Sequence, residues 1–312
     1  TRRGNNRAVC RDSGIPGPRL LLLSHYDTVP ATPQWTRDPH APTREGDRLY
    51  GLGANDAKGC LAAMMCAFEA AHLARGSLWL VAAAEEEVGR NGVETILPAL
   101  PAFSAAIVGE PTGMDVATAQ NGLLLLDCVT PGRAGHAARP HLAANALYTM
   151  CRDILALEGL ELDRVHPLAG RTTLAVTVAS AGERHNVIPG EARFTVDLRT
   201  TAAYAHAELV AAIQGRVRSA VSVRSERFHP VETPPHAEIL AAAEAAWPAA
   251  RTFASPTLSD WAHLRSVPAI KWGPGLSEVS HTADEWVEVA MVAAAVDAYR
   301  QAAETYLRGA SA

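Results

Sequence analysis

The residues with the most evident chemical capacity are His25, the run Glu85-Glu86-Glu87, Glu110, Asp56 and His281. The first three share a position type. Each closes a short apolar run, at 19–24, 78–84 and 105–108, with Gly109 standing between the last run and Glu110. If those runs are parallel strands of an open sheet, they deliver imidazole and carboxylate groups to one rim, the edge at which such sheets bind ligands. Asp56 lies among Gly51, Gly53 and Gly59, just ahead of a helical stretch, and His281 lies in a polar loop after Gly273-Pro274-Gly275. Imidazole and carboxylate donors suit zinc and similar divalent ions. Two such ions about 3.5–4 Å apart can clamp and polarise a hydrolytic water. A pair of ions needs a bridging carboxylate, one histidine and one carboxylate on each side, and a free carboxylate as base, and the chain contains that inventory. The plain readings are a loop histidine and a solvated glutamate run. The second is the weaker here, because an apolar strand runs into three carboxylates with no basic neighbour, a clustering that needs cations or protons to compensate it.

These groups need elements to position them. Residues 19–24 and 78–84 read as buried strands, and 105–108 as a third. Leu61, Met64, Met65 and Phe68 recur at helical spacing, which predicts a helix over 59–74. A short helix is expected at 92–97, stopped by Pro98. Strand, helix, strand in this order predicts βαβ units with parallel strands. The pattern then changes to strands at 123–130, 172–179, 192–198 and 222–228, with helices at 143–157 and 206–218. It reverts after about residue 230 to a helix at 237–247, a strand at 269–272 and a last helix at 289–307. The expected organisation is a discontinuous α/β catalytic domain (1–119 and 230–312) with a mixed, largely parallel sheet and flanking helices. A lid-like α+β domain (120–229) is inserted into it.

The chain has 312 residues, 48% of them hydrophobic and 20% charged, enough for a sizeable core. Its apolar runs are far too short for a membrane span, and its formal net charge of −5 argues against a general nucleic-acid binder. Among the basic residues only Lys58 and Lys271 are lysines. The cysteines (Cys10, Cys60, Cys66, Cys128, Cys151) are odd in number and form no CxxC pair, so they read mostly as small buried hydrophobes in a reducing, cytoplasmic setting. No signal peptide is legible.

Taken together the motifs resemble the dizinc M20 metallopeptidase family. They are Ser24-His25-Tyr26-Asp27-Thr28-Val29, Gly53-Ala54-Asn55-Asp56-Ala57-Lys58-Gly59, Glu85-Glu86-Glu87-Val88-Gly89 and Val108-Gly109-Glu110-Pro111-Thr112, followed by Gly135-His136-Ala137-Ala138, Asn186-Val187-Ile188-Pro189 and Ser280-His281-Thr282-Ala283-Asp284-Glu285. They run in the family's order along nearly the whole chain. Gln34-Trp35-Thr36-Arg37-Asp38-Pro39, Thr257-Leu258-Ser259-Asp260 and Trp272-Gly273-Pro274-Gly275 are most similar to the acetylornithine deacetylase branch, including relatives acting on N-acylated citrulline.

The resemblance implies a zinc-exopeptidase-like catalytic domain and a ferredoxin-like lid that dimerises. It implies two zinc or cobalt ions bridged by Asp56, one also held by His25 and Glu110, the other by Glu87 and His281. Asp27 would orient His25, and Glu86 would be the general base. His136 would stabilise an oxyanion in the partner subunit's site. Asn186, Gly275 and Arg199 would bind substrate, Arg199 gripping a carboxylate, although a strand-end salt bridge is the plainer reading of Arg199. Lys58 would support the Asp56 loop by its charge. Asp260 is a partner for the substrate side chain or else a helix N-cap before Trp261. Family members carry several tens of residues ahead of the first metal-binding strand, and 24 precede His25 here, which implies a helix and an edge strand missing from the start.

The expected activity is metal-dependent hydrolysis of N2-acetyl-L-ornithine to acetate and L-ornithine, a step of arginine biosynthesis. N-acetyl- or N-succinyl-citrulline, succinyl-diaminopimelate and a dipeptide are alternative substrates. Outside catalysis, a truncated metal-binding scaffold and a pure oligomerisation module are the competing readings; the intact Glu86 speaks against the scaffold, and the carboxylate inventory against the module.

Overall fold

A computed structural model describes residues 1–89 and 91–309. Arg90 and residues 310–312, which fall within the expected catalytic segments, lie outside the described residues. The chain divides into two compact units, one of residues 1–119, 232–255 and 259–312, the other of residues 120–231 and 256–258.

The first unit is built on a mixed sheet. Its strands run in the order Arg2–Arg3, Asn6–Asp12, Ser77–Ala83, Arg19–His25, Ala105–Val108, Ala269–Lys271, Val116–Gln120. Arg19–His25 pairs in parallel with both Ser77–Ala83 and Ala105–Val108, and Ala269–Lys271 pairs in parallel with Ala105–Val108. These central strands are nearly continuous apolar runs because both faces are covered. Leu20 and Leu22 pack with Met64 and Phe68 of helix Gly59–Ala70, Ile239 of helix Glu238–Ala246, and Tyr299 and Leu307 of helix Val289–Gly309. Trp272 meets Tyr299 edge to face at 5.3 Å and accepts the tyrosine hydroxyl proton at its carbonyl, 2.7 Å away.

The expected strands are present, with boundaries shifted by a residue or two. Helix 59–74 instead ends at Ala70: Ala71 turns extended, and the Arg11 guanidinium donates to the carbonyls of Phe68 and Glu69, satisfying the last turn. The short α-helix, Val93–Ile96, ends ahead of Pro98 as expected, and Pro98 sits in the first turn of a following 3₁₀ segment, Leu97–Ala99, where its missing N–H is not needed. The strand Asn6–Asp12, the strand Val116–Gln120 and a small antiparallel sheet of Thr43–Glu45, Arg48–Tyr50 and Trp286–Glu288 carry too weak a hydrophobic pattern to read from sequence. Cys60 and Cys128 are buried, but Cys10, Cys66 and Cys151 are exposed, so the reading of the cysteines as mostly buried is corrected: outward strand and helix faces place them in solvent. No helix among the described residues is long and apolar enough to cross a membrane.

The second unit is an antiparallel sheet in the order Thr173–Ala181, Glu191–Thr200, Gly122–Pro131, Ala220–Phe228. Helices Ala146–Glu158 and His206–Gln214 bury Met150, Leu157, Leu209 and Ile213 against Leu124, Leu126, Phe194 and Val196. The first helix starts three residues later than expected because Asn145 caps it, accepting the N–H of Leu147 at 3.0 Å. The second stops at Gln214, and the chain beyond it is claimed by Asp153. That buried carboxylate accepts the N–H groups of Arg218 and Ser219 and the Ser219 hydroxyl. Asp153→Ala leaves the buried Ser219 N–H without its acceptor, while the Ser219 hydroxyl keeps Thr130 as a partner, and chemical denaturation should show a loss on the order of 1–3 kcal/mol.

Candidate metal centre

The parallel strands end in register. His25 pairs with Ala83, and Leu23 lies opposite Val108, so the segments beyond them leave the sheet at one edge. Ser24 ties two of the ends together, its hydroxyl donating to the Gly109 carbonyl at 2.8 Å. The turn that carries the glutamates is braced by a residue sequence reading passed over. Buried Asn6 accepts the Ala84 N–H at 2.9 Å and donates to the carbonyls of Asn91 and Gly92 at 3.1 Å each.

Among the described residues three groups of potential metal ligands occur, each with its donor atoms within 4.8 Å of one another: His25, Asp56 and Glu110; Asp56, Glu87 and His281; and His25, Glu86 and Glu87. Asp56 belongs to the first two and divides its oxygens between them. Oδ1 is 3.2 Å from His25 Nε2, and Oδ2 is 3.6 Å from His281 Nε2. His25 Nε2 is also 3.9 Å from Glu110 Oε1, and His281 Nε2 is 2.9 Å from Glu87 Oε1. His25 and Glu110 are buried, whereas His281 is exposed on a loop in a left-handed backbone conformation, φ 61°.

Asp27 lies where it can serve both sides. His25 Nδ1 is 3.2 Å from the Asp27 backbone carbonyl and 3.6 Å from its Oδ1, while Oδ2 accepts the Glu87 N–H at 3.1 Å. The carbonyl is therefore the closer partner of the imidazole. Lys58 donates to the Leu52 carbonyl at 2.8 Å and so braces the Asp56 loop through a hydrogen bond. Asp260 is not a helix cap: Ser259 takes that role on the Trp261 N–H, and Asp260 is buried with Oδ2 unpartnered.

His136, Asn186 and Arg199 belong to the second unit. His136 sits in the short strand Gly135–His136, paired with Val187–Ile188, and its Nδ1 accepts the Ala138 N–H at 3.1 Å. The Asn186 carbonyl accepts the Ala137 N–H at 3.0 Å. Arg199 is exposed and forms a bidentate pair with Asp197, at 2.9 and 3.2 Å. Gly275 lies in the first unit at φ 96°, so close to Asn55 that a side chain there would collide with it.

Burial pushes Glu86 and Glu110 up to about 8. Glu110, Glu87 and Asp56 add to the rise of Glu86, and Asp56 and Asp260 to that of Glu110, against the opposing charge of His25. Burial and the charge of Glu86 hold Asp260 well above the usual carboxylate range. Burial opposes the charged form of His25 too, but the carboxylates of Asp27, Asp56 and Glu110 outweigh it and hold the imidazole well above its ordinary value. Lys271, on the otherwise apolar strand Ala269–Lys271, is lowered by burial, an effect that Glu110 and Glu86 counter in part. A lysine inside an apolar run is the signal that could have marked it. The surplus of buried carboxylates, the donor types and the two triads sharing Asp56 all fit a pair of divalent cations.

Comparison with known proteins agrees with this chemistry. Residues 21–305 match peptidase family M20/M25/M40. The chain is 32% identical over 304 residues to an acetylornithine deacetylase of Myxococcus xanthus, covering 90% of this chain and 78% of the relative. It is 31% identical over 325 residues to a succinyl-diaminopimelate desuccinylase of Burkholderia pseudomallei, covering 94% and 84%. The fold is similar to that of a Bacillus subtilis M20 protein described as a dinuclear metal binding peptidase, with a TM-score of 0.71 at 16% identity, covering 98% and 86%.

The raised carboxylates set a pH dependence. In the unfolded chain Glu86 and Glu110 ionise near 4.5, in the folded one near 8, so the metal-free fold binds more protons between those values. Its stability should fall as pH rises through that window. Thermal melts in a chelator should show this decline, and added zinc, which replaces the missing protons, should flatten it.

Proposed function

The chain belongs to peptidase family M20/M25/M40, and on that premise we propose that it is the deacylase of an N-acyl-L-amino acid, cleaving N2-acetyl-L-ornithine to acetate and L-ornithine in arginine biosynthesis. That it is an amide hydrolase follows from the family. The observation that carries the finer reading of the site is Asp56 standing between two ligand triads with Glu86 alongside.

In this reading His25, Asp56 and Glu110 hold one divalent ion, and Asp56, Glu87 and His281 hold the other. Zinc or cobalt bound there would polarise the scissile carbonyl and lower the pKa of a water. Asp27 fixes the His25 ring through its carbonyl and the Glu87 peptide through its carboxylate. Glu86 takes a proton from the attacking water and returns it to the leaving amine. Its place beside both triads is what suits it to both transfers. His136 stabilises the developing oxyanion, supplied across a homodimer formed through the second unit. Asn186, Arg199 and Gly275 bind the polar groups of the substrate; Arg199 would exchange its pairing with Asp197 for the substrate carboxylate. The setting is cytoplasmic.

Near-equal similarity to a desuccinylase favours a second reading, in which the acyl group is succinyl. Release of free α-amine from acetyl and succinyl derivatives of ornithine, citrulline and diaminopimelate separates the two. Acetylornithine is expected to be the preferred substrate, and a preference for succinyl-diaminopimelate would replace the acetylornithine assignment.

Glu86→Gln should reduce kcat about 10²- to 10⁴-fold while both metal ions still bind; turnover at the parental rate would remove Glu86 from its role. His136→Ala should lower kcat about 10²- to 10³-fold with a much smaller rise in KM, whereas loss of metal from that variant would make it a ligand or a folding residue.

A further inference from the structure

We propose that Glu285, with Asn55, is the positioning pair that clamps the Asp56 loop to the His281 loop and thereby builds one half of the metal site. The inference rests on the two-ion reading above. Glu285 follows His281 by four positions, and its side chain is buried, 2% exposed. Its Oε1 accepts the N–H groups of Asn55 and Asp56 at 2.9 and 2.8 Å, and its Oε2 accepts that of Gly53 at 2.8 Å. Its backbone carbonyl accepts the Gly51 N–H at 3.0 Å. One residue thus collects the backbone donors of the glycine-rich loop, with charge-assisted bonds that are stronger than neutral ones.

Asn55, fully buried, does the converse. Its Nδ2 donates to the Leu276 carbonyl at 3.0 Å and to the Ser280 hydroxyl at 3.1 Å, and its Oδ1 accepts the Leu276 N–H at 2.8 Å. Each loop therefore sends one side chain into the other's backbone. The clamp is itself anchored: Trp286–Glu288 pairs with Arg48–Tyr50, and the Asp284 carboxylate accepts the N–H groups of Thr36 and Arg37 at 3.0 and 3.1 Å.

The consequence is unequal for the two triads. His25 and Glu110 are set by strand ends and do not depend on the clamp; only Asp56 of that triad does. In the other triad Asp56 and His281 both hang from it, and only Glu87 is placed independently. Loosening the clamp disturbs one ligand on the strand-built side and two on the loop-built side.

Cobalt(II) titration of the metal-free protein, followed by calorimetry and visible absorption, tests this with Glu285→Gln and Asn55→Ala. Glu285→Gln keeps the shape but loses the charge and one acceptor. The unaltered protein should take up two ions. Glu285→Gln should keep the first affinity within a few-fold and weaken the second about 10- to 100-fold, with kcat recovering as cobalt is raised. A residue needed only for folding would not show that recovery. Asn55→Ala, which leaves Glu285 in place, should weaken the same ion, and it decides alone if circular dichroism finds Glu285→Gln unfolded. Two ions bound with parental affinities by both variants, or both ions lost in parallel, overturns the clamp. No cobalt bound by the unaltered protein would instead overturn the two-ion reading on which the clamp rests.

Discussion

The surplus of carboxylate at one sheet edge is the constraint on which the rest of the structure turns. Asp27, Asp56, Glu86, Glu87, Glu110 and Asp260 gather around His25, with His281 at the rim and Lys271 buried alongside. Burial makes each ionised carboxyl costly, and each neighbour raises the cost of the next. The metal-free protein meets it with protons, which is why Glu86 and Glu110 are pushed up to about 8. Divalent cations would meet it more completely, and the feature that would destabilise an ordinary fold would then favour the binding of such ions.

Such a site must be held in place before the ions arrive. Parallel strands do this well: their ends are fixed by the ladder, and the flanking apolar faces leave little freedom to His25 and Glu110. Loops have no ladder, and the protein supplies other ties. Asn6 braces the glutamate turn from the neighbouring strand Asn6–Asp12. Glu285 and Asn55 cross-link the Asp56 and His281 loops, and Gly275 provides the absence of a side chain that lets Asn55 approach. The polar residues beneath the site thus do mechanical work, and their buried groups are satisfied in doing it.

Much of this was legible in the chain. Apolar runs ending at His25, at Glu85 and at Gly109-Glu110 announce both the strands and the candidate ligands, since a buried strand and the charged residue just beyond it leave opposite marks on the same stretch. Asp56 was legible from the glycines around it. Less legible were elements stabilised by distant partners. The strand Asn6–Asp12 has only Ala8, Val9 and Cys10 between polar and charged ends, Asp153 reads as an ordinary helix residue, and the stop of helix 59–74 depends on Arg11. The cysteines, expected to be mostly buried, proved exposed at Cys10, Cys66 and Cys151, because residue type records an average preference and the outward face of a helix or strand overrides it.

Residue identity and local hydrophobic pattern were enough to point to the kind of chemistry, the donor types and the segments that bring them. The tertiary structure alone decided which triads form, that Asp56 turns one oxygen to His25 and the other to His281, and that Glu285 takes the N–H groups of a loop some 230 positions earlier in the chain. Those relations are distances between segments far apart in sequence. No local pattern encodes them, since they exist only once the sheet has set the strand ends side by side.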